Sequence, residues 1–373
     1  MTIKIVHTAD NHIGMKFNSY PPEVKAKLVQ ERFNALKNIV VMANSRAANF
    51  LVVAGDLFDT INVSMNDIKE VISVLNGFTG DAVIVLPGNH DFFDVTPNSL
   101  WDKFRKNADS NKIYVLDQYE PFQYNIGEQK VVFYPASCRS KHSDVNMIGW
   151  IGASAMNSEA INIGLAHGNV TGLGLDQVDK YFNMSPEELK QAGVDFWLLG
   201  HIHVPFPKTS VNYNPDFFMP ATHTPDGMDR KHRGSCWYIE VDPSKNIIGD
   251  LIQTGNLGFY DWEKKISSML DFDKLLSELK ELDHNLSLVR LELTGRLSHE
   301  ELQQINTKLK ALNDSFLYFT SQNFIKVNID IKYVDANYTK DSLPHKLLTS
   351  LINESESGLE LQLANELIES LKS

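Results

Sequence analysis

Three observations predict an α/β fold, with mixed sheets flanked by helices and a small α/β unit towards the C-terminus. Short apolar runs alternate with amphipathic stretches through the first two hundred residues. Near residue 205 the texture changes to hairpin-like strands, and from residue 263 a second series of helix and strand patterns begins. Alternation of the first kind implies parallel strands covered by helices. The 373 residues allow two to three domains. The expected division is 1–262 for a core, 263–335 for a cap and 336–373 for a helical tail.

Taken in order, Ile3–Thr8, Phe50–Ala54, Ala82–Leu86, Val131–Tyr134, Ile161–Ala166 and Phe196–Leu199 are strand-length apolar runs. Between them, Pro22–Asn49 and Ser64–Asn76 carry helical spacing, as in Val24, Leu28, Phe33, Leu36, Ile39 and Val40. Cys236–Val241 and Ile247–Thr254 follow as antiparallel strands. In the second unit, Phe272–Leu282 reads as helix and Leu286–Leu293 as strand. Ser298–Leu312 is a helix whose Ser298 and Glu301 form a capping-box pattern. Phe316–Thr320 and Ile325–Ile331 read as two further strands. The tail holds two short amphipathic helices marked by Leu343, Leu347, Leu348 and Leu351, then Leu363, Leu367, Ile368 and Leu371.

Composition narrows the function classes. Hydrophobic residues make up 43% of the chain and the formal net charge is −12. Such acidity argues against coating nucleic acid or an anionic membrane through bulk charge. The two cysteines, Cys138 and Cys236, are far apart and form no CxxC pair, which excludes a disulfide framework or a cysteine zinc site. No signal peptide or membrane-length apolar run is visible, so a cytoplasmic location is expected.

Polar, metal-capable residues stand just past the expected strands. Asp10-Asn11-His12 follows the first strand, Gly55-Asp56 the second and Gly88-Asn89-His90-Asp91 the third. His167-Gly168 and Gly200-His201-Ile202-His203 follow two later ones. The carboxyl ends of strands in an α/β sheet share one edge, where sites are built. Each fragment alone reads as well as a turn or a cap; the ordered set of five does not. Carboxylates, imidazoles and one amide oxygen suit divalent ions such as Mn²⁺, Fe²⁺ or Zn²⁺. There are ligands enough for two ions, and such a pair lowers the pKa of a bridging water and clamps a phosphoryl oxygen. No Ser/His/Asp or Cys/His arrangement competes, and no GxxxxGK[ST] loop is present. Metal-assisted phosphoester hydrolysis is the chemistry this pattern supports.

The ordered fragments DxH, GD, GNHD, H and GHxH resemble the signature of the calcineurin-like metallophosphoesterase superfamily over roughly residues 1–205. The stretches His7–Gly14, Ala54–Asp59 and Gly88–Asp91 look most like its SbcD-type double-strand-break-repair nucleases. That resemblance implies a metallophosphoesterase sandwich with a DNA-binding-like cap. It also implies two divalent metal ions, usually Mn²⁺, and exonuclease and endonuclease action on DNA. A homodimer joined to an SbcC-like SMC-type ATPase, with no membrane, would be the assembly, and the tail either a docking segment for it or a helix packed on the chain's own cap. By the same resemblance Asp10, His12 and His203 would hold one metal, and Asn89, His167 and His201 the other, with Asp56 bridging. His90 would be the catalytic histidine and Asp91 would orient it by a hydrogen bond.

Alternatives stay open beside this reading: a phosphoesterase of small phosphodiesters or nucleotides, and a non-catalytic scaffold for an ATPase. The protein Ser/Thr phosphatases of the superfamily carry an arginine in a GDxxDRG pattern that Asp56-Leu57-Phe58-Asp59-Thr60-Ile61 lacks. Ala221-Thr222 stands where many SbcD-type proteins have Gly-Ser. Lys16, Phe17 and Tyr20 follow the first motif, Phe92 and Phe93 the third, and Arg139, Lys141 and His142 a strand; these either track a nucleic-acid backbone and stack bases, or the aromatics pack the core or a dimer contact. The run Arg230-Lys231-His232-Arg233 either touches phosphates or, beside Asp226 and Asp229, forms a solvated loop. His223, His284, His299 and His345 read as surface residues.

Overall fold

In a computed structural model, residues 1–153, 156–173, 181–354 and 359–371 are described. The chain divides into two compact units, Met1–Gly258 and Phe259–Ser373. The first begins with β1 (Ile3–Thr8), α1 (Pro22–Ser45), β2 (Phe50–Ala54), α2 (Met65–Asn76), β3 (Ala82–Leu86), α3 (Leu100–Asn107) and β4 (Ile113–Val115). It continues with β5 (Phe122–Ile126), β6 (Gln129–Ala136), β7 (Ile161–His167), α4 (Pro186–Gln191), β8 (Phe196–Gly200), β9 (Pro205–Phe206) and β10 (Phe217–Pro220). The hairpin β11 (Ser235–Val241) and β12 (Ile247–Gln253) closes it.

These strands form two six-stranded sheets, ordered β12-β11-β1-β2-β3-β4 and β5-β6-β7-β8-β10-β9. Pairing is parallel through β1, β2, β3 and β4 and antiparallel where β11 joins β1. Side chains alternate across each strand, so Ile3 and Ile5 of the first strand enter one core and Val6 another. The core holding Ile5 also takes Phe50, Val52, Ile84 and Trp237 from the first sheet, and Phe133, Ile163, Leu165 and Leu198 from the second. The two sheets therefore pack face to face. Val6, Val53 and Val85 instead meet α1, α2 and α3 through Leu36, Ile39, Val71 and Trp101. Tyr134, Ala166 and Trp197 line the outer face of the second sheet with Leu189 of α4. The order of layers is helix, sheet, sheet, helix.

The second unit contains β13 (Gly258–Ile266), α5 (Met269–Lys280), β14 (Ser287–Leu297), α6 (His299–Leu312) and β15 (Tyr318–Val327). Three helices follow: α7 (Ile331–Asn337), α8 (Leu343–Glu354) and α9 (Leu359–Ser370). Its three-stranded sheet is covered on one face by α5 and α6, through Phe272, Leu275, Ile305 and Leu309. Ser298 caps α6 in a full capping box with Glu301. Two expectations change. Phe316–Thr320 and Ile325–Ile331 are not separate strands: Tyr318–Val327 runs through as one strand, paired along its length with β14, and Ile331 opens α7. The polar run Ser321-Gln322-Asn323 that looked like a turn lies on a sheet whose outer face is open to solvent. Among the described residues no helix is long and apolar enough to cross a membrane.

His7 stands out in the inter-sheet region. It is fully buried on β1. Burial lowers its pKa to about 3, with the Leu199 backbone pulling weakly the other way. A histidine whose pKa is lower folded than unfolded contributes full stability above the unfolded value. That contribution is lost as pH falls from about 6.5 towards 3. Replacing His7 with Leu should therefore flatten part of the loss of stability over this range, while changing stability at pH 8 by no more than about 1 kcal/mol. Urea unfolding midpoints of both proteins, measured from pH 8 to pH 4, check this; parallel curves would refute it.

Candidate metal centre

The carboxyl ends of β1, β2 and β3 in one sheet and of β7 and β8 in the other meet at one edge of the sandwich. All nine residues expected at the site lie there. After β1 and β2 the chain continues as two parallel tracks: the Asp10 amide donates to the Gly55 carbonyl (3.1 Å), His12 to Asp56 (2.9 Å) and Ile13 to Leu57 (3.0 Å). The tracks are tight enough to hold Asp10, His12 and Asp56 at φ of 53°, 43° and 54°. That left-handed region is costly for residues other than glycine and is tolerated where surrounding contacts impose it. Two glycines serve close approach, and Gly55 also takes a left-handed turn at φ 90°. A Cβ on Gly55 would lie 2.1 Å from His167 Nδ1, and one on Gly88 would lie 2.3 Å from Asp56 Oδ1.

Two groups of donors result. His12 Nε2 faces His203 Nε2 at 3.3 Å, and His203 Nε2 lies 3.6 Å from Asp10 Oδ1. In the other group, His167 Nε2 lies 3.2 Å from Asp56 Oδ2 and 3.0 Å from Asn89 Oδ1. Asn89 Oδ1 is also 3.1 Å from His201 Nδ1. Asp56 connects the groups, its Oδ2 being 3.7 Å from His12 Nε2. Asp10, His12 and His203, and separately Asp10, Asp56 and His167, present ligand atoms that all lie within 4.8 Å of one another. Asp10 Oδ1 and Oδ2 also accept from the His201 amide at 3.1 and 3.0 Å, which ties the two sheets together at the site.

The surroundings of these donors fit divalent cations. Histidine ligands commonly give their other N–H to a carbonyl or carboxylate, which fixes the tautomer and leaves a lone pair for metal. His167 Nδ1 meets the Ala54 carbonyl at 2.8 Å, and His203 Nδ1 meets Asp226 Oδ2 at 3.1 Å. His12 Nδ1 has Asp59 Oδ1 at 3.5 Å. Asp10 and Asp56 are almost wholly buried, so their charge requires a matching cation. His167 shows this demand. Burial acts to lower its pKa, but the charge and hydrogen bond of Asp56, with Asp10, push it up to about 9. Asp56 is held well below the usual carboxylate range against burial, chiefly by His167. Burial, with His167 adding to it, lowers His201 to about 3.

His90 lies beside the first group, its ring 4.8 Å from that of His12 at 83°. Its amide donates to Asp56 Oδ1 (2.8 Å), and its Nδ1 lies 3.0 Å from the Asp59 carbonyl. A carbonyl only accepts, so Nδ1 carries the proton and Nε2 is left for other work. Asp91 does not orient His90. Its carboxylate accepts from the Gly88 amide (2.7 Å) and the Phe58 amide (3.0 Å), fixing the turn that carries Asn89 and His90. Burial, reinforced by the charge of Asp56, pushes Asp91 up to about 7.

Other expectations sort as follows. Phe17 is buried, and Phe93 lies between Arg139 (4.7 Å) and Arg105 (5.5 Å), so both pack rather than stack on a ligand. His223 is fully buried, not on the surface, with its Nε2 2.8 Å from the Arg32 carbonyl. His284 is half-buried against Phe316, at 4.4 Å between ring centroids. Ala221 is buried at φ 67°, where glycine would be easier, and Thr222 bridges to Ala9 beneath the site. Asp59 and Asp226 were missed as supports for His12 and His203. Asp59 follows Gly55-Asp56 closely enough to have been weighed, but nothing in sequence couples Asp226 to His203.

A double-sheet sandwich with strand-end carboxylates, imidazoles and one amide oxygen defines a metal-dependent phosphoesterase. Residues 3–205 match the model of the calcineurin-like phosphoesterases, and the chain belongs to that family. It is 24% identical over 212 residues to an uncharacterized metallophosphoesterase, YhaO, of Bacillus subtilis (strain 168). That alignment covers 54% of this chain and 48% of the relative, so it spans about half of the relative's length. Among solved structures, a dimetal phosphatase from Danio rerio is 12% identical, with a TM-score of 0.42 over 68% of this chain and 99% of that one. The protein TT1561 of Thermus thermophilus is 11% identical, also with a TM-score of 0.42, over 67% of this chain and 99% of that one.

The contact between Asp226 and His203 gives a direct expectation. Asp226→Asn keeps the shape of the side chain and removes its charge, and should weaken Mn²⁺ binding by about tenfold or more. Titration calorimetry measures this; an unchanged affinity would show that Asp226 does not support a ligand.

Proposed function

We propose that this chain is a two-metal DNA nuclease, with exonuclease and endonuclease action, working in the cytoplasm as a homodimer with an SbcC-like ATPase in DNA end processing or repair. The observation that carries the hydrolytic part is the opening of members of both donor groups, with His90, into a single cleft. The cleft has a volume of about 430 Å³ and is lined by Asp56, Asn89, His90, His201 and His203. Two divalent ions, with Mn²⁺ the expected one, would activate a water and offset the charge of the attacked phosphate. Asp10, His12 and His203 would hold one and Asn89, His167 and His201 the other, with Asp56 shared. His90 places Nε2 to contact the phosphate or hand a proton to the leaving oxygen, because the Asp59 carbonyl occupies Nδ1.

Support for the DNA assignment is the likeness of the motif stretches to SbcD-type nucleases. Support for the ATPase comes from the tail. Val334, Tyr338, Leu348 and Leu361 pack the three last helices on one another, while Leu363 and Leu367 lie 57% and 63% exposed. An apolar row of that kind suits a helical partner. One observation favours the second reading, a phosphoesterase of small phosphodiesters. The solvent face of the second unit's sheet carries Asp261, Glu263 and Glu292, and its Arg290 is already paired with Asp261. That face offers little to a DNA backbone.

The test is purified protein with Mn²⁺, given linear and hairpin-ended DNA beside bis(p-nitrophenyl) phosphate. Cleavage of DNA is expected; cleavage of the dye alone, even with the ATPase, would favour the small-substrate enzyme. His90→Ala should abolish cleavage and leave Mn²⁺ binding nearly intact. Loss of metal in that variant would move His90 from catalysis to ligation. Replacing Leu363 and Leu367 together by Glu should stop co-purification with the ATPase while dye hydrolysis persists. Retained co-purification would remove the tail as the docking segment.

A further inference from the structure

The run Arg230-Lys231-His232-Arg233 left two readings open, and the structure separates its members. His232 is structural: its Nε2 meets the His203 carbonyl at 2.8 Å and its Nδ1 accepts from the Gly234 amide at 3.0 Å. Lys231 is exposed. Arg230 differs from both, because its side chain lines the cleft together with Asn89, His90 and His203.

The guanidinium is anchored by one edge. Nε donates to Asp226 Oδ1 at 3.1 Å, while Asp226 Oδ2 meets His203 Nδ1 at 3.1 Å. One carboxylate thus holds both a candidate metal ligand and the arginine. Nη2 lies 3.4 Å from His203 Nδ1, and Nη1 lies 3.5 Å from Asp229, whose side chain is 70% exposed. A guanidinium has five N–H donors and no acceptor, so anchoring through Nε leaves the Nη groups with donors to offer. The side chain is 27% exposed, which keeps those donors within reach of a ligand in the cleft. Holding the fork in advance reduces the entropy lost when an anion binds.

We propose that Arg230 is a substrate-binding residue, whose Nη groups hydrogen-bond the non-bridging oxygens of a phosphate lying in the cleft beside His203. This rests on the phosphoesterase reading and adds to it the residue that grips the anion apart from the metals. Asp229 is the weaker partner, in high dielectric, and a phosphate oxygen displaces it. Asp226 stays in place, because it is largely buried and serves His203 as well. A lysine at 230 would keep the charge but would lack the fork that docks on Asp226 and aims the remaining donors.

The experiment uses the full chain with Mn²⁺ and two probes, bis(p-nitrophenyl) phosphate for turnover and inorganic phosphate for binding by calorimetry. Mn²⁺ affinity is measured separately. Arg230→Gln should raise KM for the diester and Kd for phosphate by about tenfold, the loss expected for one charge-assisted hydrogen-bonded contact. The change should fall on KM rather than kcat, and Mn²⁺ affinity should stay within about twofold. Arg230→Lys should recover only part of the loss. Unchanged KM and Kd in the Gln variant would overturn the proposal. So would a parallel fall in Mn²⁺ affinity, which would make Arg230 a support for His203. If the wild type never turns over the diester but its phosphate binding still depends on Arg230, the arginine stands and the hydrolytic reading falls.

Discussion

Burial of two carboxylates is the constraint on which the rest of the structure depends. Asp10 and Asp56 are 0% and 1% exposed at the edge where two sheets meet, a placement that costs several kcal/mol per ion unless positive charge is supplied nearby. The chain supplies imidazoles from the opposite sheet. The His167 ring, from the end of β7, and the His203 ring, from beyond β8, each reach a carboxylate carried by the loops after β1 or β2, while His201 donates its backbone amide to Asp10. Electrostatics and architecture are therefore a single problem here. The sandwich can close on its apolar inner faces only if its polar edge is neutralised, and the histidines that neutralise it are the ones able to exchange a proton for a metal.

The same constraint explains the strain. Asp10, His12, Asp56 and His201 all have φ between 43° and 100°. Left-handed backbone at four non-glycine residues costs of order 1 kcal/mol or more each. It persists because the apolar layers are extensive: Phe50, Val52, Ile84 and Trp237 meet Phe133, Ile163 and Leu198 across the interface. Gly55 and Gly88 answer the same shortage of space, since any side chain there would push His167 or Asp56 out of the cluster. Asp91 belongs to this support. Its carboxylate holds two backbone amides of the turns, so the residue next to His90 builds the platform and does not steer the imidazole.

Much of this was legible in the sequence, for a physical reason. Strands buried on both faces must be continuously apolar, and a site at strand ends must follow them directly, so order along the chain reports position in space. The five fragments from Asp10 to His203 could be read in that way. The face-to-face packing of two sheets could not, because an apolar run such as Phe50–Ala54 looks the same under a helix as under a sheet. Phe316–Val327 misled because its polar residues lie on an open sheet face, where a turn and a strand have similar composition. His223 looked superficial because its burial comes from contact with Arg32, 191 positions away. Asp226 and Asp229 also looked alike, yet one is largely buried between His203 and Arg230 and the other points to solvent.

The net charge of −12 follows the same division between local and long-range effects. Residues 263–335 carry ten basic and twelve acidic residues, and 336–373 three and six, so neither segment is an attractive surface for a polyanion. Screening confines surface attraction to about 8–10 Å at physiological salt in any case. In the cleft the local groups count instead: Asp56, the imidazoles of His90, His201 and His203, and Arg230 line it. On the proposed reading affinity would come from those few groups and from any partner that brings the substrate near. Binding by the isolated chain would then depend on metal far more steeply than on its overall charge.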